Sequence, residues 1–143
     1  MIMCGVDGSD GGLNAARVAG ELSRRLAAGL LLVHVSESVP RFQMSPESFA
    51  AAREFEREQA RAVLADGARA SGIGDDAELL AETGEPARRL LELAEKRRVD
   101  LIIVGSRGRG AWMSAILGSV SGHLAANAPC PVVIVPHEVE AES

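Results

Sequence analysis

Glycine, arginine and serine recur between residues 105 and 121 in a pattern suited to holding phosphate. The stretch runs Gly105-Ser106-Arg107-Gly108-Arg109-Gly110, and eight residues after Gly110 comes Gly118-Ser119-Val120-Ser121. Glycine lets a ligand approach backbone that a Cβ would shield, and it reaches positive φ at little cost. Successive amides in such a loop make a concavity for anions. Gly118-Ser119 opens a predicted helix, whose first amides have no intrahelical acceptor and whose dipole favours negative charge. Ser119 and Ser121 add hydroxyls that can meet phosphate or its metal ion. Arg107 and Arg109 are either phosphate ligands or solvated loop charges.

Two familiar phosphate motifs do not fit. A P-loop needs lysine directly after its last glycine, and the one lysine, Lys96, lies in a different predicted helix. A dinucleotide fingerprint reads G-x-G-x-x-G, whereas Gly105, Gly108 and Gly110 give G-x-x-G-x-G. Elsewhere, Asp7 stands at a strand end, either facing a ligand or capping the next helix. His34 reads as a hydrogen-bonded core residue. His123 has no partner at zinc-ligand spacing, and Cys4 and Cys130 make no metal pattern. Trp112 and Met113 either pack on the core or form a patch for a partner.

The elements that must position these residues follow from apolar periodicity. Residues 2–6 are a short buried strand ending at Asp7-Gly8-Ser9-Asp10, a turn and helix cap. Residues 13–26 have helical spacing, with Gly29 as the expected stop. Residues 30–35 form a second apolar run, as expected of a parallel strand covered on both faces. Ser45-Pro46 starts a helix whose front half is charged and which ends at 71–74. Residues 77–81 are a weaker strand. Glu85-Pro86 opens a helix that finishes at Lys96-Arg97-Arg98, and residues 99–104 form a strong strand. A helix over 118–128 and a strand over 131–135 complete the pattern. Strand and helix alternate about five times, which predicts a single α/β domain with a five-stranded parallel sheet and helices on both faces. In such sheets ligands sit beyond the C-terminal strand ends, where strand order switches. Asp7 and Gly105 are both expected there.

Composition narrows the function further. The net charge of −5 argues against nucleic acid as partner. No apolar run reaches the ~18 residues of a membrane span, and no basic region precedes an apolar one at the N-terminus. Together with two cysteines lacking a pattern, this points to a cytoplasmic protein with reduced thiols. Residues 137–143 are acidic without apolar periodicity and read as a disordered tail.

These residues resemble a known family. Gly105-x2-Gly108-x9-Gly118-Ser119 is similar to the ATP-binding motif of the universal stress proteins. Val6-Asp7-Gly8-Ser9 resembles their first strand and turn, and Leu32-Val33-His34-Val35 their second strand. Ala128-Pro129-Cys130-Pro131-Val132-Val133 resembles the entry to their last. The resemblance spans residues 1–136. It implies a Rossmann-like, adenine nucleotide alpha hydrolase-like fold that binds ATP, with Mg2+ or Mn2+ bridging the phosphates. By position it implies Gly5, Val6 and Asp7 beside adenine or ribose, and Val35 on adenine. Val104 and Gly105 would line the base and ribose. Arg107, Gly108, Gly118, Ser119, Val120 and Ser121 would hold phosphate, with Ser106 and Arg109 of the same loop counted in the site. Homodimers pairing through the last strand, Val132 to Val135, are implied as well.

Three functions compete. A regulatory module in the stress response, switching with bound ATP, needs the site and no catalytic group. An ATPase or self-phosphorylating enzyme needs groups to orient water and stabilise charge, for which Asp7 and Arg107 are the candidates. A ligand-free interaction module resembling a response-regulator receiver needs a phosphorylatable aspartate after strand three, where Glu82-Thr83 stands instead, and a lysine after the last strand, where none follows. The first is the expectation carried forward.

Overall fold

The apolar runs become the middle of a sheet. The computed structural model describes residues 1–38, 41–106 and 118–136. Strands β1 (Ile2–Gly5), β2 (Leu30–Ser36), β3 (Glu78–Thr83), β4 (Leu101–Gly105) and β5 (Val132–Val135) pair in the order β3-β2-β1-β4-β5, all parallel. Helices α1 (Asp10–Leu26), α2 (Pro46–Ser71), α3 (Pro86–Lys96) and α4 (Ser119–Asn127) lie between them in sequence. The fold is the expected single five-stranded α/β sheet.

Alternation is present in the strands but hidden by burial on both faces. Ile2, Cys4, Leu30, Leu32 and Ile103 pack with Ala15, Ala16 and Ala19 of α1 and Leu64 and Ala68 of α2. Met3, Leu31, Val33, Ile102 and Val104 pack with Leu90, Leu93 and Ala94 of α3 and Leu124 of α4. Both sides are apolar, so the period of two cannot be seen in the sequence. Cys4 lies fully within this core, and burial pushes its thiol up to about 12. It is therefore a small protonated core group, as expected.

Boundaries and caps differ in detail from the sequence reading, although α1 ends at Leu26 as expected. α1 begins at Asp10, three residues early, because Ser9 caps it by accepting from the Gly12 amide at 3.1 Å. It stops at Leu26 without Gly29. There the Ser23 hydroxyl donates to the Ala28 carbonyl at 2.6 Å, and Ala27 takes a left-handed conformation (φ 51°). Val99 belongs to the exit of α3, its amide donating to Ala94, so β4 starts at Leu101. β3 is a full edge strand whose outward charges are covered: Arg97 pairs with Glu78 and Arg89 with Glu82, each at 2.7 Å.

One contact sets the spacing of the helix layer. A Cβ built on Gly20 of α1 would lie 1.9 Å from the Ser71 carbonyl oxygen at the end of α2. The two helices touch backbone to backbone there, and the Arg24 guanidinium donates to the same oxygen at 3.0 Å.

Candidate functional site

The chain leaves β1 through α1 on one face of the sheet and leaves β4 through α4 on the other. Adjacent strands whose connections part in this way open a crevice at their C-terminal ends. A cavity of about 790 Å³ occupies it. Of the residues expected at a site, Gly5, Val6, Asp7, Val35, Val104, Gly105, Gly118, Ser119, Val120 and Ser121 all line this one cavity. Ser106 lies at the exit of β4, behind the lining. Arg107, Gly108, Arg109, Trp112 and Met113 fall outside the described residues, as does the segment 137–143.

The exits of β1 and β4 carry the polar part. After β1, one Asp7 carboxylate oxygen accepts from the Ser9 amide at 3.0 Å and from the Ser9 hydroxyl at 2.5 Å. Ser9 in turn accepts from Gly12, so Asp7 both borders the cavity and braces the cap of α1. The alternatives posed for Asp7 are thus not exclusive. Gly8 makes the turn possible at φ +87°. Gly12 must lack a Cβ because one would sit 2.8 Å from that same carboxylate oxygen. Alanine at Gly12 is expected to push Asp7 off Ser9. The net destabilisation is expected to be about 1 kcal/mol, a weakened cap outweighing the gain in helix propensity. Urea unfolding measures it.

After β4, the Ser106 carbonyl is the anchor for α4. It accepts from the Gly118 amide at 2.7 Å and from the Ser121 hydroxyl at 2.9 Å, while the Ser106 amide donates to Val135 at 2.8 Å. The Ser121 hydroxyl also lies 3.1 Å from the Gly118 carbonyl. Ser121 is 2% exposed, so its proton holds the loop rather than reaching a ligand. Ser119, by contrast, is exposed at the start of α4. The helix starts themselves differ. α1, α2 and α3 are capped by the side chains of Ser9, Ser45 and Glu85, whereas α4 starts on Gly118 with no side-chain cap. The amides of Ser119, Val120 and Ser121 have no acceptor within α4, and they belong to residues lining the cavity. Gly105 closes the crevice from below. A Cβ there would come 3.0 Å from the Gly11 carbonyl oxygen, so the end of β4 and the first turn of α1 abut through glycine backbone.

Apolar lining comes from Val33, Val35, Leu90 and Val104. Sequence reasoning placed Leu90 and Val33 only in the core and did not single out Gly12, Ser36, Glu37 or Pro86, which also line the cavity. Of these, only the Gly11-Gly12 pair after a helix cap carried a readable signal. His34 lines the cavity and is hydrogen-bonded as expected, its Nδ1 lying 2.8 Å from the Val6 carbonyl oxygen. Among the described residues no group of three histidine, cysteine or acidic side chains could hold a metal ion. No helix among them is long and apolar enough to cross a membrane.

The profile described as "Universal stress protein family" matches residues 1–136. The chain belongs to the universal stress protein family. A universal stress protein from Thermus aquaticus, encoded in the QAH/OAS sulfhydrylase 3′ region, is 39% identical over 134 residues, which cover 94% of this chain and 96% of the relative. Universal stress protein YxiE of Bacillus subtilis is 32% identical, with 94% and 97% covered. Among solved structures, a universal stress protein in complex with cAMP superposes with a TM-score of 0.73 at 25% identity, covering 94% of each chain. The Arabidopsis thaliana family member solved with AMP bound gives 0.66 at 22% identity, covering 99% of this chain and 94% of its own, and shares the fold. This universal stress protein therefore has relatives of its own length, and the cavity lies where α/β sheets of its order hold ligands.

Proposed function

We propose that this universal stress protein binds an adenine nucleotide in the cavity between β1 and β4 and acts as a nucleotide-dependent switch or sensor in the cytoplasm. The observation that carries the reading is the uncapped start of α4. A helix that begins on glycine, with three free-ended amides beside a cavity of nucleotide size, offers the electrostatics of a phosphate site. The cAMP complex of a relative at 25% identity supports an adenine nucleotide as the ligand class. In this reading Gly5, Val6, Asp7, Val35, Val104 and Gly105 border base and ribose, and Gly118, Ser119 and Val120 hold phosphate. Ser121 keeps its backbone amide for the ligand. Ser106, Arg107, Gly108 and Arg109 complete the loop.

ATP is the proposed form, with Mg2+ or Mn2+ carried on its phosphates. The donor set fits that arrangement. No acidic cage is present among the described residues, and a hard cation brought in by phosphate needs only an oxygen or two from protein. Among the described residues bordering the cavity, the Ser119 hydroxyl at the start of α4 would supply such an oxygen. When bound, the ion would neutralise phosphate charge. Dimers are proposed to form through β5, an edge strand on which Val132, Val133 and Ile134 stay half-exposed.

Calorimetric titration of Mg-ATP into protein freed of copurifying nucleotide tests the proposal. The expected result is one nucleotide per chain, competed by AMP and cAMP, with phosphate release no faster than in nucleotide without protein. No binding would remove the reading, and rapid steady-state hydrolysis would replace the switch with an enzyme.

A further inference from the structure

His34 does more than fill the core: we infer that it ends the β1–β2 ladder one rung early, and so makes the Val35 amide available to the ligand and fixes the Asp7 turn. Backbone groups along β2 alternate in direction. The Val6 amide donates to the Val33 carbonyl at 2.9 Å, so Val33 directs its polar groups toward β1. The Gly84 amide donates to the Ser36 carbonyl at 2.8 Å, so Ser36 directs its own toward β3. Strand residues alternate in this respect, which turns the Val35 amide toward β1. The next rung of a parallel ladder would carry that amide to the Val6 carbonyl.

The rung is not made. The Val6 carbonyl takes its hydrogen bond from His34 Nδ1 at 2.8 Å instead. A carbonyl only accepts, so Nδ1 carries the proton. Val6 and Val35 both line the cavity, where the unmade rung would have been. The side chain of one residue thus replaces the backbone amide of the next, and the displaced donor points where a ligand acceptor can use it. The same bond holds the Val6 peptide from its second side. The following residue is Asp7, whose carboxylate is set by Ser9 within two residues. His34 is a positioning residue in this scheme, acting through Val6 on Asp7 and Val35. The inference concerns the site assigned above and takes its ligand from that assignment.

Asparagine can place an amide N–H where Nδ1–H stands, glutamine where Nε2 stands, and leucine neither, which makes three substitutions decisive. The first readout is hydrogen exchange of the Val35 amide in protein without nucleotide. His34→Leu is expected to let the missing rung form and slow Val35 exchange about tenfold, with His34→Asn remaining within about threefold of the natural protein. The second is Mg-ATP affinity, expected to fall about tenfold in His34→Leu and to be rescued by His34→Asn, as loss and return of one hydrogen bond would give. Circular dichroism confirms the fold of each variant. A His34→Gln variant that binds normally while His34→Asn does not would overturn the inference in favour of direct ligand contact through Nε2. Unchanged or faster Val35 exchange in His34→Leu would overturn it as well. If the natural protein bound no Mg-ATP, the nucleotide assignment would fall, and the exchange measurement would still decide the role of His34.

Discussion

Alanine at position 20 is expected to cost the fold about 3 kcal/mol or more, the largest effect of any single methyl group considered. The added carbon would lie 1.9 Å from the Ser71 carbonyl oxygen and 2.7 Å from its carbon. Backbone cannot rotate aside as a side-chain end can, so α1 and α2 must part. Parting them opens the layer in which Gly67 of α2 packs against Val6 and Leu32. It also strains the Arg24 bond to Ser71 and the buried Ser71 hydroxyl, which donates to Ala68 and accepts from Ile73. Domains of this kind are stable by roughly 5–15 kcal/mol in all, so the loss is a sizeable share. Urea unfolding should show a much lower midpoint with little change in slope. Gly29→Ala is the control, because nothing lies within 4 Å of its added carbon and its φ is not positive. It should move the midpoint only slightly.

Gly20 also marks where the sequence stops being informative. It sits in an apolar helical pattern, and nothing in that pattern says a backbone passes on that side, because the neighbour is 51 residues away at Ser71. The sheet was legible for the opposite reason. Runs such as Leu30 to Val33 are apolar enough to require cover on both faces, and a helix-length connection after each strand leaves a parallel order as the simplest solution. β3 was faint because the charges at Glu78 and Glu82 look solvent-facing until Arg97 and Arg89 are brought across from α3. The end of α1 at Leu26 was legible but what closes it was not, because Ser23, a buried serine with no sequence signature, does so ahead of Gly29.

The candidate site divides along the same line. Glycines, the Asp7 turn and the start of α4 can be found from residue type, since each reflects what backbone needs locally. The roles of the hydroxyls cannot. Ser119 and Ser121 are equivalent candidates in sequence, yet two residues of advance along α4 turn the Ser121 hydroxyl inward and send its proton to Ser106. His34 shows the converse, a residue read as core that both packs and borders the cavity.

Valine at Gly118 is expected to weaken Mg-ATP binding about a hundredfold while leaving the fold nearly intact. The Gly118 backbone has φ −62° and ψ 162°, a conformation open to any residue, so conformational freedom is not why glycine stands there. Nor does its backbone role need glycine, since donation from the Gly118 amide to Ser106 is equally available to valine. On the proposed nucleotide site, glycine provides room beside the first amides of α4. A side-chain cap such as serine would occupy a donor there, and a branched apolar chain would stand before it without offering an acceptor. Valine should therefore cost the helix only about 1 kcal/mol as a poor cap, far less than it costs the ligand. Gly118→Ser separates the two effects. It should stabilise the chain slightly while still weakening nucleotide binding, because its hydroxyl competes for the same amides. Calorimetry on the three proteins, paired with urea unfolding, should thus show affinity and stability moving in opposite directions for serine. A serine variant that gained stability and kept full affinity would mean that the open start of α4 is not where the phosphate binds.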